Sequence, residues 1–216
     1  METTTVKGAM CPPLRADAAR NRQRIVLAAR EAIVEYGPEV ALDEIARRAG
    51  VGNATLYRHF PNRRSLLLQV LIHVNDRITE RAQQALEAEH DPFEALSRLV
   101  LDSAEERVGG LCRLLGFGID HADPALLASR DRALAVTEEL LGRAHASGQL
   151  RPDVGTGDLL VAVSRLTTSV PGTTCGDDTV LARRHLQIFL DGLRTPPRSQ
   201  LPGSKTHLAD LKEEPR

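Results

Sequence analysis

The sequence predicts an all-α protein: an N-terminal three-helix domain containing a helix-turn-helix, then a C-terminal helical domain, about nine helices in total. Three observations lead there. Aromatic residues make up 3% of the chain and Trp is absent, so Leu, Ala and Val must fill the core; Leu and Ala are strong helix formers, whereas strands favour β-branched and aromatic residues. Apolar residues recur at helical spacing through the middle of the chain. Nowhere do they alternate with polar ones over a strand's length and then turn back through a hairpin signal.

The first helix is expected from about Asp17, a plausible N-cap, to Tyr36, with Ile25, Ala28, Ala29, Ala32 and Tyr36 on one face and Gly37-Pro38 as the stop. A short second helix carries Leu42, Ile45, Ala46 and Ala49 at i, i+3, i+4 and i+7, and Gly50 supplies the positive φ that ends it. The third, about Asn53 to His59, buries Leu56 and Phe60 and stops near Pro61. The fourth starts near Asn62, places Leu66, Val70, Val74 and Ile78 one turn apart, and reaches toward Glu89. Asp91-Pro92 opens a helix to about Val108, by an N-cap followed by Pro in the first turn. A short apolar piece follows from Leu111 to Ile119, then helices from Asp123-Pro124 to about Ser147, Thr156 to Thr168, and Asp178 to about Leu193. The domains expected are a disordered arm at 1–16, the helix-turn-helix domain at 17–62, the C-terminal domain at 63–194 and a Pro-rich disordered tail at 195–216.

With 216 residues, 42% of them apolar and 26% charged, the chain is an ordinary globular one. Its net charge of -1 argues against a histone-like polycation, yet that total hides an asymmetry. Residues 1–64 carry 11 Lys and Arg against 7 Asp and Glu, a balance of +4, and the remainder 17 against 22, a balance of -5. A polyanion would dock on the first third. Cys11, Cys112 and Cys175 are odd in number and far apart, and no apolar leader opens the chain, so a reducing cytoplasm is expected. The most apolar stretch, Leu66 to Val74, is interrupted by Gln69 and His73 and is too short for a membrane span. No Gly-rich phosphate loop, G-x-S-x-G or H-E-x-x-H occurs, so no catalytic residue or cofactor is expected. Cys112, His121, His145 and Cys175 lack ligand spacing, and no metal site is expected.

Two helices joined by a tight Gly-containing turn form the arrangement whose second helix enters the DNA major groove. The spacing alone also fits plain three-helix packing. The residues add to it: in N-A-T-L-Y-R-H-F, Leu56 and Phe60 point inward and leave Asn53, Thr55, Tyr57, Arg58 and His59 as donors on and beside the outer face. Arg22, Arg24, Arg47 and Arg48 could be phosphate contacts or a solvated face. A module that binds only protein is the rival reading; it would show no salt-dependent DNA binding.

From about Arg24 to Leu67, ending A-L-D-E-I-A-R-R-A-G-V-G-N-A-T-L-Y-R-H-F-P-N-R-R-S-L-L, the chain closely resembles the DNA-binding domain of TetR-type transcriptional regulators. That resemblance implies that Thr55, Tyr57, His59 and Arg63 contact operator phosphates or neighbouring bases, and that Asn53 and Ala54 read bases. Two positions depart from the family pattern: Ala41 stands where Thr commonly caps the second helix, and Arg63 where Lys is usual. Past Leu67 the similarity is architectural, although A-S-G-Q-L-R-P-D-V followed by D-L-L resembles the junction before the dimerisation helices. The resemblance implies a cytoplasmic homodimeric repressor on a palindromic double-stranded operator, released by a small effector. Leu159, Leu160, Val163, Leu166, Leu181, Leu186, Phe189 and Leu193 on the last two helices offer more apolar surface than one core contact consumes, and are expected to form the dimer interface. Leu101, Leu111, Leu115, Phe117, Leu126 and Leu140, with Thr167 and His121 as polar handles, are expected to line a pocket for a mostly apolar effector. Simple core filling is the alternative.

Overall fold

The computed structural model describes residues 13–112, 114, 117–168 and 178–207. Among these the chain forms nine helices and no strand: α1 Pro13–Tyr36, α2 Leu42–Ala49, α3 Asn53–His59, α4 Arg63–Ala88, α5 Pro92–Glu105, α6 Val108–Cys112, α7 Pro124–Ala146, α8 Thr156–Leu166 and α9 Asp178–Leu193. The all-helical reading stands.

Helix ends follow local chemistry. The carboxylates of Asp91 and Asp123 each accept two backbone N–H groups at the starts of α5 and α7, and Asn62 Oδ1 accepts Ser65 N at 2.9 Å to open α4. Gly50 ends α2 at φ 62°, where its N–H reaches the carbonyls of Ala46 and Arg47. α1 begins at Pro13 rather than Asp17, since Pro is compatible with a first helical turn. α5 stops at Glu105, short of Val108, because Arg107 takes a left-handed φ of 49° and breaks the helix; the apolar piece expected from Leu111 instead begins at Val108. α8 ends at Leu166, before the expected Thr168.

Two hydrophobic cores divide the molecule. The first gathers α1, α2, α3 and the start of α4 through residues such as Ile25, Ile33, Ile45, Leu56, Phe60 and Leu66, and it also takes in Leu111, Leu114, Ile119 and Leu126. The second holds the end of α4 with α5, α7, α8 and α9, around Ala85, Phe93, Leu96, Leu140, Leu186 and Leu190. Ile78 of α4 packs against both. The division between cores therefore runs through α4, and α6 with the start of α7 packs with the N-terminal three helices.

Residues 195–207, expected as part of a disordered tail, lie against the body. Arg151 Nη2 donates to the Ser199 carbonyl at 2.9 Å, Gly157 N to the Thr206 carbonyl at 3.0 Å, and Asp158 Oδ2 accepts Thr206 N at 3.1 Å. Their Pro-rich composition hid this, since anchoring through backbone groups leaves no hydrophobic periodicity to read. The expected arm at 1–12 and the tail beyond 207 lie outside the described residues. Among the described residues, no helix is long and apolar enough to cross a membrane.

Candidate nucleic-acid interface

α2 presents Ile45, Ala46 and Ala49 to the first core, and α3 follows it across Gly50, Val51 and Gly52. Leu56 and Phe60, four residues apart, are both 1% exposed and fix which side of α3 faces inward. Asn53, Ala54, Tyr57 and Arg58 are then exposed, with Thr55 and His59 half-buried beside them. Tyr57 stands 48% exposed on that outer side. Arg58 Nη2 donates to Thr55 Oγ1 at 2.9 Å, one turn back. Asn53 Nδ2 donates to Asp43 Oδ1 at 2.8 Å, which ties the first residue of α3 to α2.

Arg63, half-buried at the first position of α4, donates from Nη1 to the carbonyls of Pro38 and Val40 at 2.9 and 2.7 Å. It therefore clamps the α1–α2 loop to α4. Ala41 is the N-cap of α2 and makes no side-chain cap, as expected for a residue without a hydroxyl.

The four arginines that sequence left ambiguous have specific partners. Arg22 lies 4.4 Å over the Phe60 ring, donates to the His59 carbonyl at 3.2 Å and to Gln69 Oε1 at 2.7 Å, so it braces α1 on α3 and α4. Arg24 reaches the Gly50 carbonyl at 3.3 Å. Arg47 and Arg48 share the Glu44 carboxylate, which they hold down to about 2, and Arg48 also meets Glu35 and the Tyr36 hydroxyl. Tyr36 is not on the buried face of α1: it is 57% exposed, with Arg48 5.1 Å over its ring. The contacts of Arg22, Arg24 and the Arg48–Glu35 pair were invisible in sequence because they join different elements, whereas the Glu44 pairs stand at helical spacing within α2.

The residues expected around an effector separate. Leu111 and Leu126 belong to the first core, Leu101 and Leu140 to the second, and Phe117 and His121 are exposed. Thr167 is buried, but its Oγ1 accepts Gly109 N at 2.7 Å and donates to the Val163 carbonyl at 2.7 Å. Leu115 lies outside the described residues. The placed leucines are thus shared between the two cores. A groove of about 310 Å³ does open between α1 and the α5–α6 junction, lined by Arg30, Glu31, Val34, Glu35, Arg48, Glu105 and Arg107, and it is polar.

The expected dimer residues also divide. Leu159, Val163, Leu186 and Leu193 are buried within one chain, with Leu166 and Phe189 packed partly against the same core. Leu159, Val163, Leu186 and Leu193 close the second core from α8 and α9, while Leu166 and Phe189 stay half-buried. Leu160 and Leu181 do remain exposed, together with Val161, Val180 and Ile188, which sequence reading missed.

A compact three-helix head, whose third helix is anchored inward by two apolar side chains and turns amide, hydroxyl, phenol and guanidinium groups outward, defines a helix-turn-helix DNA-binding regulator. Residues 25–70 match the model of the bacterial regulatory proteins of the tetR family, and residues 87–195 match that of the SbtR-like transcriptional regulator C-terminal domain. The chain belongs to the TetR family of transcriptional regulators. A solved TetR transcription regulatory protein from Mycobacterium vanbaalenii is 36% identical, with 85% of this chain and 100% of that one covered and a TM-score of 0.60. A TetR regulator from Streptomyces coelicolor is 31% identical, covering 82% and 99%, with a TM-score of 0.59. Among curated proteins, the transcriptional repressor LfrR of Mycolicibacterium smegmatis is 29% identical over 147 residues, which span 68% of this chain and 75% of LfrR.

Proposed function

We propose that this regulator acts as a homodimeric repressor that occupies a palindromic operator and leaves it when a small effector binds the body. The observation that carries the reading is the outer face of α3, where Asn53, Ala54, Tyr57 and Arg58 are exposed beside Thr55 and His59. In this account Thr55, Tyr57, Arg58, His59 and Arg63 hold phosphates or neighbouring bases, and Asn53 and Ala54 meet base edges. Phosphate contacts set register and affinity; base contacts set sequence.

Dimerisation is supported by Leu160 and Val161 on α8 and by Val180, Leu181 and Ile188 on α9, between 36% and 62% exposed on neighbouring helices. Two such pairs would meet as a four-helix interface, and a two-fold dimer places its two reading helices on half-sites about one helical turn apart or somewhat more. Release by an effector is supported by the shared core. α6 and the start of α7 pack with α1 to α4, so a ligand that prefers another position of these body segments lowers operator affinity by its differential binding. A mostly apolar ligand suits a Leu-rich, aromatic-poor body.

Sedimentation equilibrium of the full chain, free and on operator duplex, tests this. The expected mass is twice 23.6 kDa when free, with two chains for each operator. A stable mass of a single chain at micromolar concentration, free and bound, would contradict it.

A further inference from the structure

Between head and body lies a buried carboxylate that binding of DNA does not account for. Glu106, at the end of α5, is 8% exposed. Arg30 of α1 donates from Nη2 to its carboxylate at 2.6 Å and to its backbone carbonyl at 2.8 Å. Arg77 of α4 approaches the other carboxylate oxygen at 3.2 Å, and Arg81 stands 3.7 Å from it while also facing Asp102 at 3.5 Å. Three arginines from two helices thus converge on one acid. Arg30 sits among the residues of the head core, whereas Glu106 follows directly on a helix of the body core.

The next residues continue the connection. Arg107 adopts φ 49°, and Gly109 lets α6 approach α8 closely. A Cβ at Gly109 would come within 2.2 Å of the Ser164 carbonyl oxygen of α8, whereas one at Gly110 would lie 3.7 Å from Val34 of α1. Gly109 N is also held by Thr167 Oγ1. A contiguous chain of contacts therefore runs from α8, through α6 and Glu106, to α1.

A buried ion pair is a weak source of stability, because desolvation consumes much of the Coulomb attraction; its better-attested use is to fix one geometry among several. Here a single nitrogen, Arg30 Nη2, bridges the Glu106 carboxylate and its backbone carbonyl, which ties the side chain of α1 to both the acid and the chain that carries it. We propose that Glu106 is the positioning residue that sets, through Arg30, the angle of the reading head on the body, and so the half-site spacing the dimer accepts. This rests on the dimeric operator reading above.

The test compares wild type and Glu106→Gln on duplexes carrying one half-site, the preferred palindrome, and palindromes with the spacer changed by one or two base pairs. Wild type is expected to lose about tenfold or more in affinity when the spacer changes by one base pair, and the variant less than about threefold, with single half-site affinity equal in both. If Glu106→Gln does not fold, as judged by circular dichroism and melting, Arg30→Lys, which keeps the charge but loses the planar guanidinium that places Nη2 between the two Glu106 oxygens, carries the same comparison. A folded variant that keeps the wild-type spacing preference overturns the proposal. So does one whose half-site affinity falls as far as its full-site affinity, since Glu106 would then only maintain the head. A wild type indifferent to spacing would defeat the dimeric reading, and this proposal with it.

Discussion

Asn53 donates its side-chain amide to the carboxylate of Asp43 at 2.8 Å, so the residue that opens the reading helix is oriented by an acid on the preceding helix. An acid near a DNA-facing surface repels phosphates, and its presence there is explained if it fixes which edge of the Asn53 amide points outward. Asn53→Ala is expected to lose about 1–3 kcal/mol of discrimination at one base position. Asp43→Ala should broaden preference at that same position while slightly raising affinity for all sequences. Competition binding against single-base operator variants checks both; an effect of Asp43→Ala at a different position would contradict the link.

The loop clamp made by Arg63 and its proposed phosphate contact separate experimentally. Its Nη1 grips the Pro38 and Val40 carbonyls, so Arg63→Ala is expected to cost roughly 1–3 kcal/mol in urea unfolding, the range for charged hydrogen bonds. If Arg63 also meets a phosphate, the same variant flattens the slope of log affinity against log salt by about one unit. A stability loss with an unchanged slope would remove Arg63 from the interface and leave it as a clamp.

His73, half-buried on α4, is held below its usual value near 6.5 first by burial, then by the charges of Arg30 and Arg77, against the opposing pull of Glu106 and Asp76. Its folded pKa lies under the unfolded one, so the unfolded chain takes up the proton first as pH falls. The penalty is absent well above pH 6.5, grows as pH drops through about 6.5, and levels off below the folded pKa. Denaturation series between pH 5 and 8 should show wild-type stability falling toward the acid side, with a shallower fall in His73→Gln.

The two kinds of apolar residue on α9 should respond differently. Leu186 is fully buried, and Leu186→Ala is expected to cost about 2–5 kcal/mol of stability. Ile188, 58% exposed, should tolerate Ile188→Glu with its secondary structure intact while the dimer dissociates. Light scattering and thermal melting of the two variants separate these outcomes; a dimeric Ile188→Glu protein would move the interface elsewhere.

The head was legible in the sequence because it is local: α2, Gly50 and α3 are neighbours in the chain, and Leu56 and Phe60 mark the inner face of a seven-residue helix. The body was less so. Leu160 and Leu186 both read as apolar positions on amphipathic helices, and periodicity does not say whether the covering surface belongs to the same chain or to another. Only the packed structure separates an exposed Leu160 from an enclosed Leu186. The Arg30–Glu106 contact spans 76 residues of sequence, and charges that far apart carry no spacing signal. The division of cores inside α4 was hidden too, because Leu66 and Ala85 belong to one uninterrupted helix yet serve different interiors.

The central claim is that the outer face of α3 reads a specific duplex. Selection of bound duplexes from a random pool by the full-length protein at near-physiological salt, followed by the same selection with Tyr57→Phe, tests it most directly. The expected result is one enriched site built of two inverted half-sites, recovered by both proteins, with Tyr57→Phe binding it more weakly but with the same base preferences, since a phosphate contact carries affinity and not sequence. A pool with no enriched site after repeated rounds, from folded wild-type protein, would contradict the account.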